Sequence, residues 1–205
     1  MKHLNQYINI KKKPTIVKAT DKTIEDIVLD GIAKFGPEAD LNYIDVSEVT
    51  QFRTLFSNST YTGFSARLKK EHGWTTAMAN KISPDLSRWD VSNAVDMLGM
   101  FYFCRGFDSD LSQWDVSNVR NTRNMFHSCL KFNQDLSSWN LENAIDVCGM
   151  FNTCMSLDQD FSSWELPKVD LIYDNIGEMF DYDKKMSKEK FPPKYAKFKE
   201  IISYH

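Results

Sequence analysis

Apolar and polar positions recur along this chain with a long period. Asp85-Leu86-Ser87-Arg88-Trp89 returns as Asp110-Leu111-Ser112-Gln113-Trp114, as Asp135-Leu136-Ser137-Ser138-Trp139 and as Asp160-Phe161-Ser162-Ser163-Trp164, every 25 residues. A fixed period in this range marks an architecture in which each unit buries its apolar face against its neighbours. Four apolar rows follow. Trp89, Trp114, Trp139 and Trp164 form the first; Val91, Val116, Leu141 and Leu166 form the second. Each second-row residue lies two positions after its Trp, so both face inward from a short strand. Met100-Phe101, Met125-Phe126 and Met150-Phe151 form the third row, and Phe107, Phe132 and Leu157 the fourth.

Between the strand and the Met-Phe pair the spacing changes. Ala94, Met97, Leu98 and Phe101 recur at three, four and seven, the stripe of a helix. Asn93, Asn118 and Asn143 stand at cap positions, each three residues before Asp96, Asn121 or Asp146. The predicted unit is a short strand, a tight corner, a short helix and a return loop. This is the economy of a leucine-rich repeat, with Trp, Val, Met and Phe in place of leucine. The predicted fold class is α/β: a leucine-rich-repeat-like solenoid of about four to five strand–helix coils with a helical N-terminal cap.

Upstream, Asp40–Val49 matches Asp85–Ala94 at an offset of 45, and Leu55-Phe56 matches Met100-Phe101. The excess over one period predicts an insertion of about 20 residues within 58–82, and such insertions map to loops, often on a binding face. Tyr61, His72 and Trp74 within it are candidates for ligand contact; the alternative is a loop packed on the first coil with Trp74 as its anchor. Ile24, Ile27, Val28 and Ile32 predict a capping helix, with Thr20 or Asp21 as cap and Gly36-Pro37 as its end. At the other end Ile176 stands where a Phe is expected. Phe191-Pro192-Pro193-Lys194-Tyr195 reads as an extended segment lying across the last coil, or as a peptide ligand for another domain. The predicted organisation is a tail and capping helix over 1–38, the repeat body over 39–180 and a C-terminal cap or tail over 181–205.

Charge and chemistry change this picture little. The 205-residue chain carries a formal net charge of -3, unevenly placed. Residues 1–84 hold 12 basic and 9 acidic side chains, whereas residues 85–165 hold 5 and 12. An acidic repeat block argues against wrapping phosphate and gives no case for nucleic acid. It is compatible with a basic protein partner or with solubility alone. No apolar run follows the basic start as in a secretory signal, and none is long enough to span a membrane, so no membrane insertion is expected. Cys104, Cys129 and Cys154 share the period and Cys148 stands apart. They read as buried thiols, with a disulfide between adjacent rungs as the alternative. No histidine recurs beside them, and no metal site or cofactor is expected. The turn aspartates Asp85, Asp110, Asp135 and Asp160 supply one carboxylate per unit, too few for calcium, and suit turn bonds. His127 replaces Tyr102 and Asn152 at one position of the repeat. No motif of hydrolase, phosphate-loop or zincin type is present, and an enzyme is not expected.

The run Trp114-Asp115-Val116-Ser117-Asn118-Val119, Met125-Phe126, Cys129 and Phe132-Asn133-Gln134-Asp135-Leu136-Ser137-Ser138-Trp139 resembles the BspA-like leucine-rich-repeat surface proteins. In bacteria these have been catalogued as a repeat domain of unknown function rich in Trp-Asp-Val-Ser-Asn-Val motifs. The resemblance is close over 85–166 and looser over the capping helix and Leu41–Phe56. It implies a right-handed, curved solenoid, a cell-surface or secreted location, and adhesin-like binding of host or neighbouring-cell proteins. With no export signal at the start, the cytoplasm is the other location. The residues it carries over are structural: the four Trp, Phe101, Phe126 and Phe151, and Cys104, Cys129 and Cys154. It supplies no catalytic residue. The function expected is a protein-binding repeat module of unknown ligand and oligomeric state. Its ligand face combines the variable strand positions Arg88, Gln113, Ser138 and Ser163 with the 58–82 insertion. The alternative is an intracellular structural or regulatory scaffold of mobile-element origin.

Overall fold

Side-chain oxygens shape the backbone of residues 85–166. In each 25-residue unit an Asp accepts from the backbone N–H two residues later: Asp85 from Ser87 at 3.0 Å, and Asp110, Asp135 and Asp160 from Ser112, Ser137 and Ser162 at 2.9 Å each. A second such turn follows five residues on, where Asp90, Asp115 and Asn140 hold Ser92, Ser117 and Glu142. A third holds Leu98, Arg123 and Cys148 on Asp96, Asn121 and Asp146. Asp and Asn mimic a backbone turn in this way and draw the chain away from helix and sheet.

The computed structural model describes residues 15–59, 63–166, 178–180 and 186–202. Over 85–166 it contains no helix and no strand. The chain runs through turns whose N–H groups alternate in direction. Those of Met97, Gly99, Phe101 and Phe103 donate to Asn121, Arg123, Met125 and His127 in the next layer, at 2.8 to 2.9 Å. Those of Met100, Tyr102 and Cys104 donate three residues back to Met97, Gly99 and Phe101. Left-handed residues enforce the alternation. Thr54, Gly99, Asn124, Gly149 and Glu178 share one row with φ between 53° and 63°, and Phe103, Ser128 and Thr153 share another with φ of 60° to 63°. A left-handed residue costs about 1 kcal/mol or more outside glycine and ends any helix.

This overturns the predicted strand–helix solenoid. Among the described residues the regular elements are a two-residue parallel pair, β1 (Val17–Lys18) on β2 (Ile44–Asp45), four α-helices and one 3-10 turn, all outside 85–166. Of the stripe at 94, 97, 98 and 101, successive turns bury Ala94, Met97 and Phe101 and leave Leu98 half-buried. Asn93, Asn118 and Asn143 cap no helix; their amides donate to Ser47, Ser92 and Ser117 carbonyls in the preceding layer, at 2.8 to 2.9 Å. The layers meet in single parallel bridges at Gln51, Asp96, Asn121 and Asp146.

One apolar core runs through the described residues, from Ala19 to Tyr195. Trp89, Trp114 and Trp139 stack at centroid spacings of 6.4 and 6.3 Å. The Nε1–H groups of these three and of Trp164 donate to the carbonyls of Leu41, Leu86, Leu111 and Leu136, each at 3.0 Å. Phe56, Phe101, Phe126 and Phe151 stack at 5.4 Å. The thiols of Cys104, Cys129 and Cys154 donate to Phe56, Phe101 and Phe126 carbonyls. All four cysteines are buried thiols. These buried indole and thiol groups are thus paired with backbone, as a low-dielectric interior requires.

The ends are helical. Helix α1 (Ile24–Phe35) buries Ile24, Val28, Leu29 and Ile32 and ends at Gly36, φ 97°. Neither expected cap serves it. Asp21 instead accepts from the N–H groups of Thr50 and Gln51, at 2.7 and 3.0 Å. Helices α2 (Phe64–His72) and α3 (Thr76–Ala79) lie between the first two layers in sequence. Arg67 on α2 reaches Glu25 and Asp26 of α1. At the C-terminal end Ile176 lies outside the described residues. Phe180 continues the Phe row, 5.3 Å from Phe151. The Phe191-Pro192-Pro193-Lys194-Tyr195 segment is not extended. Pro193 begins α4 (Pro193–Ile202), as proline suits a first helical turn, and Tyr195 is buried against Phe180.

Candidate functional site

The turn layers and the α2–α3 insertion meet along a seam, and the sequence shapes both sides of it. Gly73 (φ 69°) ends α2, and Thr75 caps α3 by accepting from Met78 N–H at 3.2 Å. Phe64, Leu68, Trp74, Ala79 and Ile82 anchor the insertion in the core. On the layer side, Gly106 lies so close to Asn80 that an added Cβ would sit 2.4 Å from its carbonyl oxygen and 3.1 Å from Lys81 Cα. The glycine therefore permits the contact that presses the 102–106 turn against the end of α3.

A cleft of about 330 Å³ opens beside that contact, lined by Asn58, Ser59, Thr76, Asn80, Tyr102, Phe103 and Arg105. The buried Asn58 amide donates to Asn80 Oδ1 at 2.7 Å, fixing the two carboxamides together. Its backbone N–H donates to Tyr102 O at 2.8 Å. The Tyr102 ring stacks on His127 at 5.1 Å, and Phe103 lies 5.4 Å from the same imidazole. In the preceding layer that row is occupied by Ser57, which brings no ring. Phe103 also lies 4.6 Å from the Tyr102 ring, and Tyr102 and Phe103 both line the cleft. Arg105 is exposed at the rim and forms no ion pair among the described residues. Behind the ring, His127 Nδ1 is buried without a hydrogen-bond partner among the described residues. Burial lowers the pKa of this imidazole, opposed by the charge of Glu178.

Two further concavities are shallower places. A polar groove of about 850 Å³ includes Ser83, Asp85, Asp108, Ser109 and Asp110. Its side chains are largely engaged in holding turns: Ser109 donates to Pro84 O at 2.6 Å, and Asp108 accepts from Asn133 N–H at 2.9 Å. A groove of about 750 Å³ between α1 and β1 is bordered by Val17, Phe35, Tyr43 and His72. Among the described residues no three His, Cys, Asp or Glu side chains are grouped to hold a metal, and no helix is long and apolar enough to cross a membrane.

The ligand face expected from sequence is not one site. Arg88 is exposed, with Asp40 at 3.9 Å. Gln113 Nε2 donates to Ser112 Oγ at 3.3 Å, the Ser138 hydroxyl donates to Ser112 O at 2.8 Å, and Ser163 is exposed. None of these four lines the cleft or either of the two grooves. Trp74 is 7 % exposed and part of the core, the anchor position of the alternative reading. His72 borders the groove beside α1, away from the cleft lining. Tyr61 lies outside the described residues. The residues that do converge were missed, because Asn58, Thr76 and Asn80 belong to the insertion and carry no motif. Two signals were present in the sequence. Gly106 interrupts a row otherwise filled by Lys131 and Ser156, and one row changes from Ser57 to Tyr102 to His127 to Asn152.

A family described as "Mycoplasma protein of unknown function, DUF285" matches residues 71–191, more than half of the chain. The chain belongs to DUF285. No curated protein and no solved structure matches it. The resemblance to BspA-like leucine-rich-repeat surface proteins is corrected accordingly. The match is to DUF285, and the strand–helix coil of a leucine-rich repeat is absent from the described residues. The functional expectation of an adhesin-like protein-binding repeat module falls with it, since the strand–helix repeat it needs is absent from the described residues. This DUF285 chain is a small globular body around one core, with its cleft at the seam of two kinds of structure.

Proposed function

We propose that this chain is a non-catalytic binding domain whose ligand seat is the cleft between α3 and the Tyr102–Arg105 turn. The observation that carries the reading is convergence. Two mutually fixed asparagines, a serine, a threonine, two aromatic residues and an arginine surround one concavity of about 330 Å³. Ligand sites are concave, partly apolar and furnished with a few placed polar groups, and this volume is near their lower limit. It suits a ligand the size of one sugar ring or one side chain. A protein partner would enter it only through such a group. The lining residues include no carboxylate or imidazole to carry a proton, which supports binding without chemistry.

The test is titration of the isotopically labelled chain with pooled monosaccharides, amino acids and small carboxylates, followed by amide chemical shifts. Shifts concentrated at Asn58, Asn80 and Tyr102–Arg105 are the expected result. Shifts confined to the exposed 110–115 and 135–140 turns, with the cleft silent, would place the ligand seat elsewhere.

A further inference from the structure

The chemistry of the cleft narrows the ligand. Asn58 Nδ2 donates to Asn80 Oδ1, so the Asn58 carbonyl oxygen and the Asn80 amide N–H groups remain to face a ligand. Ser59 and Thr76, whose hydroxyls can donate and accept, also line the cleft. Adjacent donors and acceptors of this kind match neighbouring hydroxyls, each of which donates and accepts. The Tyr102 ring, backed by His127, is held firm on one side. The negative face of an aromatic ring attracts the polarised C–H groups of a sugar ring. Arg105 and Arg120 are without an ion pair among the described residues, whereas Arg53, Arg67, Arg88 and Arg123 each lie within 4 Å of a carboxylate; of the two, Arg105 stands at the rim of the cleft. A planar guanidinium left open beside a polar seat matches a carboxylate in bidentate fashion.

We propose that the cleft takes an acidic monosaccharide, a sugar ring bearing one carboxylate. Its hydroxyls meet Asn58 and Asn80, its C–H face lies on Tyr102, and its carboxylate lies on Arg105. This inference rests on the cleft being the ligand seat, and the experiment separates the two.

Isothermal titration of the full chain uses methyl glucuronide, the neutral methyl glucoside and inorganic phosphate as probes, with two variants. Arg105→Gln removes the cation, and Thr76→Trp fills the cleft from an exposed helix position. The expected result is that glucuronide binds more tightly than glucoside, that phosphate fails to compete, and that Arg105→Gln weakens glucuronide about ten- to hundred-fold while leaving glucoside unchanged. Thr76→Trp abolishes binding of both sugars. Equal affinity for both sugars, indifferent to Arg105→Gln but lost in Thr76→Trp, overturns the acidic-sugar inference and leaves the seat standing. Competition by phosphate at the same strength as glucuronide reduces the site to a bare anion contact and also overturns it. Glucuronide binding that survives Thr76→Trp, in a variant whose melting is unchanged, overturns the seat itself. Failure of both sugars to bind overturns the sugar inference, while the amide-shift titration still judges the seat.

Discussion

The helices near the N-terminus and the turn layers of 85–166 share one core but hold it by opposite means. In α1 the backbone bonds close over four residues, and an apolar stripe at helical spacing meets the core. In the layers, bonds of Phe101 to Met125 and Phe126 to Met150 leap a whole unit, as do the indole, thiol and amide ladders. A helix can form locally and then pack. A turn layer leaves alternate backbone donors, such as those of Met97, Gly99, Phe101 and Phe103, unmet until the next layer arrives, so no layer stands alone. The difference explains where variation is tolerated. The layers must repeat because each side chain has a fixed partner above and below, whereas the insertion is free to carry residues of its own. The cleft lies where that freedom meets the fixed ladder.

The largest expected effect tests the interdependence of the layers. Trp114→Ala removes a stacked, buried indole and leaves the Leu86 carbonyl without its donor. The expected loss is about 3–5 kcal/mol by chemical denaturation. Native-state hydrogen exchange is expected to show lost protection on both sides, in residues 86–101 and 136–151 together. Leu68→Ala on α2 is the matched control; its buried side chain is anchored in the same core. Its loss of protection is expected to stay within α2 and α3. Equal spreading from both substitutions would show that the two regions unfold as one and would break the distinction.

Part of this contrast is legible in the sequence, and part is written in a form that sequence rules misread. The spacing of 25 residues reappears as hydrogen bonds between units, and the offset of 45 reappears as the Asp40–Asp85 and Gln51–Asp96 bridges. The helical stripe at Ala94, Met97, Leu98 and Phe101 misleads because periodicity reports which residues face inward, not how the backbone gets them there. A chain that alternates right- and left-handed residues brings Met97 and Met100–Phe101 inward as well as a helix does. Gly99 and Gly149 hint at this, but Thr54, Phe103 and Thr153 adopt left-handed φ without any compositional sign. The ladder bonds over-determine them. The cleft was illegible for a different reason: its walls come from segments with no shared motif, brought together by one close approach at Gly106.

That approach gives the next effect in size. Gly106→Ala places a Cβ against backbone, at 2.4 Å from Asn80 O, where no flexible side chain can yield. The expected cost is about 1–3 kcal/mol, read from the thermal or denaturant midpoint. The α3 end is expected to move away from the turn, with amide shifts at Asn80 and Lys81 and weakened binding in the cleft. The corresponding change in the next layer, Lys131→Ala, meets no insertion and is expected to leave stability within about 0.5 kcal/mol. A Gly106→Ala variant as stable as the parent would mean that the seam is looser than the layers it joins.

The smallest effect is a matter of pH and is confined to one row of the layers. Burial lowers the pKa of His127 below its usual 6.5, with Glu178 acting in the opposite direction. The unfolded chain therefore binds a proton here before the native chain does. Stability tied to this group is complete above about pH 6.5 and declines as pH falls below it. The turn carboxylates act lower on the scale. Asp115 is held below 3.8 by the Ser117 hydroxyl and then its N–H, and Asp135 by the Ser137 N–H and then its hydroxyl. Their contribution is present above that value and is lost as pH falls through it, so the two limbs separate. His127→Asn installs the residue that Asn152 supplies one layer on. It is expected to flatten the limb that begins below about pH 6.5 and to leave the carboxylate limb in place. A denaturation series across pH reads both. An unchanged upper limb in His127→Asn would show that the buried Nδ1 is not what the layers lose on acidification, and that Tyr102 is backed by a ring whose charge is immaterial.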